Sequence, residues 1–215
     1  MNNEKNFTVN ENFNLAIQNS QNNNLQDAQI LYLKVLKIDP NHLDANNNLG
    51  ITFKALGEHQ KAKNCFEKAI EINPNYADPY YNLGIIFKEE GQNQKAISFY
   101  EKAIEINPNY VNAHNNLGNI FKKLGENQKA ISCYEKIIEI NPNNADAYFN
   151  LGLVHGTINN HKKSVNYYHK ALINRSDISF EISNEKNQEL LPATSSFLLE
   201  LTNKCNFHCE FCPSD

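Results

Sequence analysis

A 34-residue period governs this chain: Ile-Asn-Pro-Asn recurs at 72, 106 and 140, and Asn-Leu-Gly at 48, 82, 116 and 150. A sequence repeating at this length builds its core from small units that cannot bury an apolar face alone and must stack on their neighbours. Placing Leu-Gly at the seventh and eighth positions gives five units, 9–42, 43–76, 77–110, 111–144 and 145–178, after a polar N-terminus at 1–8.

In the third unit Tyr80, Leu83, Gly84 and Phe87, then Ala96, Tyr100 and Ala103, follow the three-and-four spacing of apolar helix faces. Two amphipathic helices per unit result. Small residues at Gly84 and Ala96, matched by Gly50 and Ala62 and by Gly118 and Ala130, predict a hairpin whose two backbones approach closely. Gly57, Gly91 and Gly125 stand where the first helix must turn, a site suited to positive φ, and Asn23 and Asn159 take that place in the end units. Pro40, Pro74, Pro108 and Pro142 close the second helices. Asn10, Asp44, Asp78, Asn112 and Asp146 are the expected N-caps of the first helices, with Pro79 at the first helical position.

Leu83, Gly84, Phe87, Gly91, Ala96, Tyr100, Ala103 and Pro108 together resemble the tetratricopeptide repeat (TPR) signature. The resemblance covers 9–178 and implies an all-α fold, a right-handed solenoid of five helical hairpins whose first helices line a concave groove. The first and last units depart most, with Asn12, Ala16 and Asn19, and His155, Ser164 and Ser176, at signature positions. End units of an array are expected to be atypical.

Helical geometry turns the fifth, sixth, ninth, twelfth and thirteenth positions of each unit away from the second helix. In the second to fourth units these include Asn47, Asn48, Ile51, Lys54; Tyr81, Asn82, Ile85, Lys88; and Asn115, Asn116, Asn119, Lys122, an amide-rich and mildly basic groove. Asn14, Asn48, Asn82, Asn116 and Asn150 form a ladder similar to that of the solenoid in O-linked N-acetylglucosamine transferases, which implies clamping of an extended peptide backbone. An amide suits the task because it donates and accepts at once. The same asparagines also fit a merely solvated face, since the chain holds 38 Asn against a single Arg, Arg175, a bias expected of an AT-rich genome.

A net charge of −4 without long runs of one sign gives no basic footprint, so the expected partner is a protein or peptide, not nucleic acid or membrane. The N-terminus has no apolar leader, and no stretch approaches the roughly 18 apolar residues of a membrane span. A cytoplasmic location follows as an expectation. Five Cys is an odd number, pointing to free thiols or metal ligands rather than a disulfide framework. Cys65 and Cys133 share one repeat position with Leu31, Phe99 and Tyr167 and read as packing residues. His114 and His155 replace aromatics of other units and read the same way, while the sequence pairs His42, His59, His161 and His169 with no carboxylate or thiol of a shared unit in a pattern that suggests a metal site or triad.

Beyond the repeats lies an expected linker, 179–195, with a short helix at 185–191, and then the apolar strand-length run 196–202. Three Cys follow within eight residues, Cys205, Cys209 and Cys212, with Phe211 before the last. A strand leading into Cys-x3-Cys-x2-Cys resembles the opening of the radical S-adenosylmethionine (radical SAM) domain, here over 196–215. That resemblance implies three thiolates on a 4Fe-4S cluster, an open iron for S-adenosylmethionine, and Phe211 near its adenine. A zinc site, a redox pair or free thiols are the alternatives, although adjacent His208 and Cys209 suit one zinc tetrahedron poorly. The radical SAM barrel would lie downstream, so these 215 residues are expected to serve as an interaction scaffold without catalytic residues. The alternative is the N-terminal part of a radical SAM enzyme whose repeats recruit a substrate.

Overall fold

The computed structural model describes residues 8–175. Ten α-helices follow one another: α1 Val9–Gln21, α2 Leu25–Ile38, α3 Leu43–Ala55, α4 His59–Ile72, α5 Ala77–Glu89, α6 Asn93–Ile106, α7 Val111–Lys123, α8 Asn127–Ile140, α9 Ala145–Thr157 and α10 His161–Ile173. There is no strand among the described residues. The chain divides into two compact units, one running to Cys133 and the other from Tyr134, with the boundary inside α8.

In the first unit α1 packs on α2, α3 on α4 and α5 on α6, and each second helix packs in turn on the first helix of the next pair. Ala16, Tyr32, Val35, Leu49, Phe53, Phe66, Leu83 and Ile86 form a buried cluster running through α1 to α5. In the second unit α9 packs on α10. The small eighth-position residue has a more specific job than backbone approach. A Cβ added at Gly50 would lie 2.6 Å from the Phe66 ring, and one at Gly84 would lie 2.6 Å from the Tyr100 ring. Gly152 meets the Tyr168 ring in the same way, so each glycine makes room for an aromatic of its partner helix.

The first helices stop as the sequence predicts. Asn23, Gly57, Gly91, Gly125 and Asn159 all have positive φ, between 58° and 76°. Beside each of them a Schellman pair forms, such as Gln92 N–H to the Phe87 carbonyl at 2.8 Å and Gly91 N–H to the Lys88 carbonyl at 3.0 Å. The second helices end before the prolines, and the preceding Asp39, Asn73 and Asn107 adopt extended backbone. Their side-chain oxygens, and that of Asn141, accept the N–H two residues on at 3.0–3.2 Å. The Asn-Pro-Asn motif is therefore an Asx turn.

The expected N-caps are corrected. The caps are Thr8, His42, Tyr76, Tyr110 and Asn144, two residues earlier than Asn10, Asp44, Asp78, Asn112 and Asp146. Thr8 closes a capping box with Glu11. His42 Nδ1 accepts Ala45 N–H at 3.2 Å, and Asn144 Oδ1 accepts Ala147 N–H at 2.8 Å. Asp44, Asp78 and Asp146 lie in the first turn, where a carboxylate complements the helix dipole without capping. Pro79 is third in its helix rather than first, a place where the amide still needs no partner.

Candidate functional site

The fourth position supplies a donor that ties the first helix to the preceding turn. Asn46 Nδ2 and Tyr80 Oη donate to the Pro40 and Pro74 carbonyls at 3.2 Å each, and His114 Nε2 lies 2.9 Å from the Pro108 carbonyl oxygen. His114 is thus a functional equivalent of Tyr80 in holding a turn.

The fifth and sixth positions lie along the seams between successive first helices. Asn82 Nδ2 donates to Asn47 Oδ1 across α5 and α3 at 3.4 Å. One repeat on, Asn116 Nδ2 donates to Tyr81 Oη across α7 and α5 at 3.2 Å. Lys88 Nζ donates to the Asn116 oxygen at 3.2 Å, so both ends of that amide are engaged. Asn47 and Asn82 are 3% and 7% exposed, which makes them joints between repeats more than surface groups. Asn48 and Asn116 are half-buried and Asn14 is exposed. Asn150 is half-buried in the second unit.

Beyond the seam, Ile51 is 40% exposed, with Ile85 and Asn119 half-buried at the same repeat position. Lys54, Lys88 and Lys122 follow one helical turn later, each half-buried. Burial pulls the proton affinity of Lys122 below the usual lysine value.

At the other end of the first helices is a tyrosine–aspartate set. Tyr110 Oη donates to Asp78 Oδ1 at 2.8 Å, and its ring lies 4.9 Å from that of Tyr81. Burial, then the Asp78 hydrogen bond, pushes the Tyr110 hydroxyl well above the usual range. Tyr76 rises to about 12 through burial, then the charges of Asp78 and Asp44. Sequence reasoning missed these contacts. The available signal was tyrosine at the last position of two units, followed two residues later by an acid or amide.

Cys65 is half-buried and Cys133 buried, and burial pushes both thiols up to about 11, which keeps them protonated at neutral pH. No group of three or more His, Cys, Asp or Glu among the described residues is placed to hold a metal ion. Cys205, Cys209, Cys212 and Phe211, the linker at 179–195 and the run at 196–202 lie outside the described residues. No described helix is long and apolar enough to cross a membrane.

Fold and face together define a helical-hairpin repeat protein. Tetratricopeptide repeat models match residues 43–76, 65–98 and 145–172, and a TPR repeat model matches 86–125 and 118–158. The crystal structure of MamA is 30% identical with a TM-score of 0.69, covering 77% of this chain and 96% of its own. YrrB, a TPR protein with an unusual peptide-binding site, is 26% identical with a TM-score of 0.63, covering 82% and 91%. PilF of Pseudomonas aeruginosa shares the fold alone, at 18% identity and a TM-score of 0.70 over 91% of each chain. No curated protein matches. The chain belongs to the tetratricopeptide repeat family.

Proposed function

We propose that the face formed by α3, α5 and α7 binds an extended peptide or a peptide segment of a partner protein. The observation that carries this is the presentation of equivalent side chains once per repeat on adjacent helices. Half-buried amides, an apolar row at Ile51 and Ile85, and the ammonium groups of Lys54 and Lys88 lie side by side. The TPR membership and the peptide-binding site of YrrB support the reading. Asn48 is then the backbone-contacting member of the ladder, while Asn82 and Asn116 align the repeats. Ile51→Glu should abolish binding of a peptide ligand by calorimetry at an unchanged melting temperature. Undiminished binding would reject the face.

The sequence of the last twenty residues favours a second, compatible reading. Three Cys at Cys-x3-Cys-x2-Cys spacing after an apolar run suit a 4Fe-4S cluster of the radical SAM type, with Cys205, Cys209 and Cys212 as ligands and Phe211 beside S-adenosylmethionine. The repeats would then recruit a substrate to a radical SAM enzyme of which this chain is the N-terminal part. Anaerobic reconstitution with iron and sulfide should give thiolate-to-iron charge-transfer absorbance that Cys205→Ala removes. A colourless product would sink the ligation.

A further inference from the structure

We infer that the outer face of α2 is a self-association surface, on which a second copy of this chain docks with its own α2 running antiparallel. The inference stands apart from the peptide-binding reading and uses none of the residues assigned to it.

The second helices of the first four repeats expose the same three positions, so their faces can be compared directly. On α4 these are Asn64, Glu67 and Glu71, on α6 Ser98, Glu101 and Glu105, and α8 keeps Ser-Glu-Glu. On α2 the same positions hold Ile30, Leu33 and Lys37. Ile30 is 52% and Leu33 45% exposed, and their spacing of three sets them side by side on one stripe of the helix. A lone exposed aliphatic residue is ordinary, but two neighbours standing where other repeats carry a polar group and a carboxylate form a patch suited to a partner. Glu71 and Glu105 are closed by Lys68 and Lys102 of their own helices at 3.2 and 2.9 Å, whereas the α2 stripe has no such internal closure.

Charge selects the occupant. Asp27 in the first turn of α2 and Lys34 are both exposed, and neither side chain has an ion-pair or hydrogen-bond partner among the described residues. They lie seven residues apart, two helical turns, and so share one flank of the Ile30 and Leu33 stripe. A two-fold axis across the middle of α2 makes this face complementary to itself. It sets Ile30 against the partner's Leu33 and Leu33 against the partner's Ile30, a core of four aliphatic side chains. On the flank it brings Asp27 to the partner's Lys34 and Lys34 to the partner's Asp27. Parallel pairing would instead put Asp27 beside Asp27 and Lys34 beside Lys34, and docking on α4 or α6 of another copy would press the aliphatic pair against Glu67 or Glu101. One helix pair buries less than the about 1,200–2,000 Å² of a standard interface, so the dimer forms at about micromolar concentration or above.

The test is sedimentation velocity of the full chain under reducing conditions from about 5 to about 500 μM, a range spanning that equilibrium. A concentration-dependent dimer is expected. Ile30→Asn, Leu33→Glu, which installs the residues α4 carries at these positions, should stay monomeric throughout at an unchanged melting temperature. Asp27→Lys and Lys34→Asp should each weaken association at least about tenfold, because like charges then face each other twice, and an equimolar mixture of the two variants should regain the dimer. A chain that remains monomeric at the highest concentration, or a dimer that persists in Ile30→Asn, Leu33→Glu, would overturn the surface. Mixed charge variants that stay apart would overturn the antiparallel pairing.

Discussion

At the scale of single residues, the positions that break the repeat give the sharpest expectations. Tyr100 is fully buried, yet its hydroxyl has no hydrogen-bond partner among the described residues, and its equivalent one repeat earlier is Phe66. Tyr32, by contrast, receives a hydrogen bond from Ser20 at 3.4 Å. Removing an unsatisfied buried hydroxyl recovers its desolvation cost, so Tyr100→Phe should leave stability unchanged or raise it by about 1 kcal/mol. Denaturant unfolding checks this, and a clear loss would mean the hydroxyl has a partner. His155 replaces an aromatic, is 4% exposed, and stacks on Tyr167 with its Nδ1 unpartnered. Burial first, then Lys163, lowers its proton affinity against a weaker opposing effect of Glu135. The unfolded chain then binds the proton more readily, so stability is full above the ordinary value of 6.5 and falls as pH drops through it. His155→Phe should flatten that acid-side loss in pH-dependent melting, and an unchanged slope would assign it to other groups.

Elements are legible in the sequence wherever one residue type admits a single explanation. Positive φ at Gly57, Gly91 and Gly125 is readable because few residues tolerate it, and Asn at the same place in the end units points to the same turn. The first helices start two residues earlier than the sequence suggests, because an acid suits both an N-cap and the first turn, while His42, Tyr76 and Tyr110 are not obvious caps. The asparagines are masked by composition, yet Asn73, Asn107 and Asn141 make Asx turns, and Asn46, Asn82 and Asn116 fasten turns and neighbouring helices. The helix-to-helix contacts of Asn82 and Asn116 each span 35 residues and leave no local pattern. Packing of α5 on α6 offers a direct check. Gly84→Ala would place a methyl 2.6 Å from the Tyr100 ring and should destabilise by about 1–3 kcal/mol in denaturant unfolding, whereas a neutral result would show that the ring can shift.

For the whole molecule, the period of 34 carries most of the fold, because a repeat that cannot bury its own core leaves stacking as its only stable arrangement. The face is legible as a row of positions, but the division of labour along it is not. Buried amides join the helices, and half-buried lysines and isoleucines are left to meet a ligand. Chemical-shift mapping of the isotopically labelled chain with a library-selected peptide tests this division most directly. Shifts concentrated at Asn48, Ile51, Lys54, Ile85 and Lys88, with α2, α4 and α6 quiet, are the predicted result. Shifts concentrated on those second helices, with the first-helix face unmoved, would contradict it.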